Sequence, residues 1–252
     1  MPAATVAVAL VAIGGIAFAL ALALLAAIAA AELGRMLVVE GRTRVVACAG
    51  AGALPLAVSA GDRTGLALAL VVAGLLGVLV ALVGHRRPEL RARSLVAAVL
   101  AVAWIGLGLA HGVLLHELDH GAGLVLDVML AVFVGDTAAH LLGSTLGRRA
   151  LAPTISPRKT VEGLIAGIIA GTAACTLASA FQPWLSLADG LALGFTIALA
   201  APLGDLFESF VKRASGTKDS GRVFGAHGGA LDRIDAVLFA APVGYYVALA
   251  LV

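Results

Sequence analysis

Residues 204–235 read GDLFESFVKRASGTKDSGRVFGAHGGALDRID, a densely charged stretch in a 252-residue chain that is 61% hydrophobic. On a helix, Asp205, Glu208, Ser209 and Lys212 fall at i, i+3, i+4 and i+7 and form one polar stripe. Asp232 and Asp235 share a face in the same way. Between the two acidic pairs lie Lys218, Asp219 and the turn-forming His227-Gly228-Gly229. Carboxylates at both ends of a basic, glycine-bearing loop suit the holding of a hard cation against several phosphates. The stretch is flanked on both sides by apolar runs, so its chemistry is expected where a membrane ends.

The composition agrees. A mean hydropathy of +1.06 with only 13% charged residues excludes an ordinary aqueous fold, which could not hide so much apolar surface. The expected fold is an all-α, polytopic membrane protein. Apolar windows of about 20 residues, enough to cross a bilayer, occur near 5–33, 45–60, 65–84, 94–115, 122–147, 160–182, 187–211 and 234–252. That is eight spans, with seven and nine the neighbouring counts. The first Lys or Arg is Arg35, so residues 5–33 read as a retained span and not a cleaved signal peptide. Cys48 and Cys175 both sit in apolar stretches, as small buried hydrophobes and not as a disulfide or metal ligands.

Basic residues set the orientation. Arg35, Arg42 and Arg44 follow span one, and Arg86, Arg87, Arg91 and Arg93 follow span three. Arg148, Arg149, Arg158 and Lys159 follow span five, and Lys212, Arg213, Lys218, Arg222 and Arg233 follow span seven. Only Arg63 falls elsewhere, so alternate loops carry the positive charge expected of the cytoplasmic side. Both termini are then expected outside, with the polar loops facing the cytoplasm from a plasma (inner) membrane.

Other polar positions carry weaker signals. In Ser156-Pro157-Arg158-Lys159-Thr160-Val161-Glu162-Gly163, Ser156 reads as a helix cap with Pro157 in the first turn. Free N–H groups there, with Lys159 and the Thr160 hydroxyl, would make an anion site; anchoring of the helix to lipid headgroups is the plainer account. Asp136, inside span five, needs a partner or a wet cavity. Asp205 and Glu208 repel unless something positive sits between them. Lys212 neutralises one of them, but a divalent cation also accounts for Asp232 and Asp235. His116-Glu117-Leu118-Asp119-His120 fits the weakly specific H-E-x-x-H zinc pattern, with Asp127 or Asp189 as the third ligands that could be proposed, and is read instead as a solvated external loop. Gly163, Gly167 and Gly171 line one helix face, leaving a homodimer seam and packing within one subunit both open.

These motifs together are recognisable. The stretch from Gly204 to Asp235, with Asp136-Thr137 and residues 156–163 upstream, resembles the signature of the phosphatidate cytidylyltransferases, also called CDP-diacylglycerol synthases. The resemblance is dense from Asp136 to Pro242 and rests on hydropathy before residue 130. It departs from the family pattern at His140, Val161, Gly225-Ala226 and Ala230, none of which removes a charge.

The resemblance implies that residues 1–120 are a transmembrane scaffold and residues 121–252 carry the active site. It implies transfer of a cytidylyl group from CTP to phosphatidate in phospholipid synthesis, with Mg²⁺ required, membrane lipid as partner and no nucleic acid. Metal ligands would be Asp205, Asp232 and Asp235, with Glu208 and Asp219 beside them. Lys212, Arg213, Lys218 and Arg233 would neutralise phosphates, and Ser209 would join them in binding substrate. Gly228 and Gly229 would let backbone approach a phosphate. His227 would position or protonate it. Lys218, Asp219, His227 and Asp232 form the expected catalytic set, while Ser156, Lys159 and Thr160 would hold the second anionic group.

Overall fold

Long runs of Ala, Leu and Val cannot leave backbone N–H and C=O groups unpaired in hydrocarbon, and helices satisfy those groups within one segment. The computed structural model, which describes residues 2–84, 87–217, 219–221 and 228–251, is accordingly almost all helix. In order come α1 (Pro2–Ile13), α2 (Gly15–Met36), α3 (Gly41–Gly84) and α4 (Pro88–Leu100). A π-helical stretch (Ala101–Gly106) then leads into α5 (Leu107–His116), followed by α6 (Gly121–Leu146). A short hairpin, β1 (Ala150–Ala152) and β2 (Ser156–Thr160), precedes α7 (Val161–Ser179), α8 (Leu187–Ala214) and α9 (Leu231–Leu251). Eight segments among the described residues are long and apolar enough to cross a membrane, matching the expected count.

Three details differ from the expected spans. The first is broken at Gly14 and Gly15, whose φ values of 64° and 53° suit only glycine, so α1 ends and α2 starts afresh. A Cβ at Gly14 would overlap the His116 ring, which explains the small residue there. Spans two and three are joined without a non-helical linker. The chain nevertheless doubles back, because Gly50 lies against Ala73 and Gly65 against the Ala57 carbonyl. The crossing segments are therefore Gly41–Gly61 and Arg63–Gly84.

The third difference is a correction at Ser156. It does not cap a helix: Ser156 and Pro157 lie in β2, whose partner β1 pairs Ala150 with Thr160 and Ala152 with Ser156. The helix starts at Val161 and Thr160 is its cap. Thr160 has extended backbone (φ −121°, ψ 154°), and its Oγ1 accepts the Gly163 N–H at 3.1 Å. Arg148 and Arg149 donate their backbone N–H groups to the Glu162 carboxylate at 3.0 and 3.2 Å, which ties the hairpin to the first turn of α7.

The chain forms two compact units, Met1–Glu117 with Ser215–Ile234, and Leu118–Ala214 with Asp235–Val252. In the first unit α2 packs on α3, and α3 on α4 and α5, around Phe18, Leu33, Leu54, Ile105 and Leu115. In the second, α7 packs against both α6 and α8. The glycine face of α7 is used there: Gly163 abuts the Ala139 carbonyl, Gly167 the Gly135 carbonyl, and Gly171 the Ala131 carbonyl, all on α6 of the same chain. Leu75, Leu79 and Val83 of α3 remain exposed, as lipid-facing side chains do.

Candidate active site

In the second unit the polar stripe of α8 meets α9 at Asp235. Gly204 makes this possible, because any Cβ there would overlap the Asp235 carbonyl; the two helices touch backbone to backbone at that point. Phe207 and Phe239 pack one turn further on, with ring centroids 5.8 Å apart. The crossing brings the carboxylates of Asp205, Glu208 and Asp235 together, one oxygen of each lying within 4.8 Å of the others. At that spacing each ionised pair repels by roughly 3 kcal/mol for an effective dielectric of 20. Positive charge is required, and two lysines supply part of it. Lys212 Nζ lies 2.5 Å from Glu208 Oε2. Lys159, arriving from β2, is ion-paired with Asp205.

Each partner is held by its own element. Glu208 is buried in α8, one turn after Asp205. Asp235 Oδ1 accepts the Ala236 N–H at 2.8 Å. Arg213 Nε donates to the Ile155 carbonyl at 3.2 Å, so the hairpin carrying Lys159 is fastened to the end of α8. Asp136 of α6 is in electrostatic reach of both Asp205 and Lys159. Ser209 is half-buried on α8, and Ser156 is half-buried on β2. Three carboxylates from two helices are hard oxygen donors and fit a divalent ion such as Mg²⁺. The residual negative charge beside two lysines fits it too.

The first unit holds a carboxylate network at the beginning of α9. Asp232 accepts the Gly229 N–H at 2.7 Å and the Ser220 N–H at 3.2–3.3 Å, which pins both ends of the loop that precedes it. Gly228 has φ 86°, and a Cβ there would come within 2.9 Å of Asp232 Oδ2. Asp219 and Arg233 are exposed. Lys218 and His227 lie outside the described residues.

One participant was missed in the sequence. Glu32 of α2 is wholly buried, and its Oε2 accepts from Leu231 N at 2.9 Å and Ser220 Oγ at 3.3 Å. A lone acid inside an otherwise apolar span was the available signal.

The H-E-x-x-H segment does not make a zinc site. Helix α5 ends at His116, and His120 has left-handed backbone (φ 57°), so the two histidines do not share a helical face. His116 Nε2 is hydrogen-bonded to the Val11 carbonyl at 2.8 Å, and its ring packs on Phe18. The His120 ring stacks on Trp184 with centroids 4.6 Å apart.

Comparison with known proteins points the same way as the carboxylates. The model of the Cytidylyltransferase family matches residues 1–251. A phosphatidate cytidylyltransferase of Thermotoga maritima is 33% identical over 177 residues, 68% of this chain and 65% of that protein. One from Mycobacterium bovis is 36% identical over 155 residues, 60% of this chain and 49% of that protein. An uncharacterized Escherichia coli K12 protein, YnbB, is 40% identical over 130 residues, 52% of this chain and 44% of its own length. The matched part is thus about half the length of the mycobacterial relative.

Proposed function

This chain belongs to the cytidylyltransferase family, and on that premise we propose that it transfers a cytidylyl group from CTP to phosphatidate within a membrane. An oxygen of the phosphatidate phosphate attacks the α-phosphorus of CTP. The new P–O bond joins lipid phosphate to CMP as the α–β bond breaks, giving CDP-diacylglycerol and releasing pyrophosphate. Both reactants are anions, so the site must first let them approach.

The observation that carries this reading is the convergence of Asp205, Glu208 and Asp235 where α8 crosses α9. These residues would hold Mg²⁺, which when bound shields the phosphates and makes phosphorus more electrophilic. Lys212 and Lys159 orient Glu208 and Asp205 by ion pairing. Arg213 braces the hairpin, which leaves the exposed Arg158 and half-buried Ser156 to meet an anionic headgroup. Thr160 serves the α7 cap, so its contribution to binding is through the backbone it fixes. Asp232 orders the turn at Gly228 and Gly229, where a phosphate can approach main-chain N–H groups. Lys218, Asp219, His227, Ser209 and Arg233 complete the proposed set on the strength of the family signature alone. The loops bearing these groups face the cytoplasm from the plasma membrane, as the alternation of basic loops implies.

Asp232→Asn tests the catalytic role. Its formation of CDP-diacylglycerol is expected to fall at least about 100-fold while the protein still inserts in the membrane. Near-normal turnover would remove Asp232 from the mechanism.

A further inference from the structure

Glu32 is an acid with no exposed surface, carried by the apolar helix α2. Burying such a group is unfavourable unless its oxygens are satisfied, and its partners lie nearly two hundred residues away in the chain. Oε2 accepts the Leu231 N–H, the first of α9, and the Ser220 hydroxyl. Helix α9 needs this. Ala230, in the capping position, has no side-chain acceptor, so a carboxylate from α2 takes the place of a local cap. Gly221 and Gly229 press against the same carboxylate so closely that a Cβ on either would overlap it. The backbone N–H groups of Ser220 and Gly229 are in turn those that Asp232 accepts.

We infer that Glu32 is a positioning residue of the active site: it locks Ser220-Gly221 to Gly229–Leu231 and so sets the direction of the Asp232 carboxylate. The inference rests on the proposed cytidylyl transfer for its consequence but not for its contact. Glu32 touches no substrate. It acts through the two ends of the loop, and its own charge is needed less than the acceptor Oε2.

The test pairs amide hydrogen exchange with turnover on the full-length protein in detergent. Glu32→Met removes the acceptors and keeps the volume. Exchange at Leu231 and Ser220 is expected to rise at least about tenfold, since the opening free energy of the turn falls. The turnover number for CTP is expected to fall about 100-fold, the scale of a small misplacement at a reacting centre. Membrane insertion is expected to be kept, and the melting temperature to fall no further than the loss of one helix cap accounts for. Glu32→Gln retains an acceptor for Leu231 and is expected to recover most of both properties.

A second pair reads the contact by rescue. Gly221→Ala is expected to be impaired, and Glu32→Asp in that background to restore activity and protection by making room. A folded Glu32→Met protein with unchanged exchange or unchanged turnover would overturn the assignment. If Glu32→Met fails to insert, absence of rescue in the Gly221→Ala pair would overturn it. Should the wild type not convert CTP and phosphatidate while Glu32→Met still loosens those amides, the proposed reaction falls and the positioning contact stands.

Discussion

At the scale of single residues, the decisive feature is how Asp205, Glu208 and Asp235 share charge with two lysines, Lys159 and Lys212. Among the described residues, Asp235 is the member with no lysine within ion-pair distance. Asp235→Asn is therefore expected to cost the most at the cation: activity should fall at least about 100-fold and the Mg²⁺ requirement should move to higher concentration. Titration of activity against Mg²⁺ checks it, and an unchanged requirement would exclude Asp235 as a ligand. Glu117→Ala is expected to leave turnover within about twofold, as for a surface substitution away from any site. Loss of activity there would revive the histidine motif that the end of α5 argues against.

The acids of α8 and α9 were legible in the sequence because spacing of three and four on a helix puts side chains on one face. Asp205, Glu208 and Asp235 do come together. Glu32 was not legible, because nothing local ties an acid in α2 to a loop 188 residues later. Asp232 shares a face with Asp235 by the same spacing, but the hydrogen bonds that its carboxylate accepts from Ser220 and Gly229 carry no local sequence signal.

Among elements, the α8–α9 crossing and the α7 cap make separate predictions. Gly204→Ala must push the Asp235 carbonyl away, and a small-to-large change in such a contact costs about 1–3 kcal/mol. Both thermal stability and activity should drop. Thr160→Ala removes only the cap and should cost about 1 kcal/mol, seen as a lower melting temperature with turnover largely kept. Equal loss of activity in the two variants would contradict the structural role given to Thr160.

The eight spans were legible because bilayer thickness sets the length of apolar segments. The break at Gly14 and the reversal within α3 were not, since hydropathy does not register φ or a helix folding onto itself. The β hairpin was hidden because Ser156-Pro157 is also a good helix start. What decided against it was the capping geometry of Thr160 and the tie made by Glu162, further along the chain.

For the whole molecule, α7 should separate a cytoplasmic hairpin from an external turn. With Cys48 and Cys175 replaced by alanine, Arg158→Cys is expected to react with a membrane-impermeant maleimide only after permeabilisation, and Ser186→Cys in intact cells. The reverse pattern would invert the topology. The central claim is that carboxylates of α8 and α9 hold a cation so that two anions can react. Its most direct test follows labelled CTP into lipid with purified protein and phosphatidate, across a range of Mg²⁺, for wild type and Asp235→Asn side by side. The account predicts Mg²⁺-dependent labelled CDP-diacylglycerol from the wild type and almost none from the variant at the same concentrations. Labelling that ignores Mg²⁺, or that is equal in the two proteins, would contradict it.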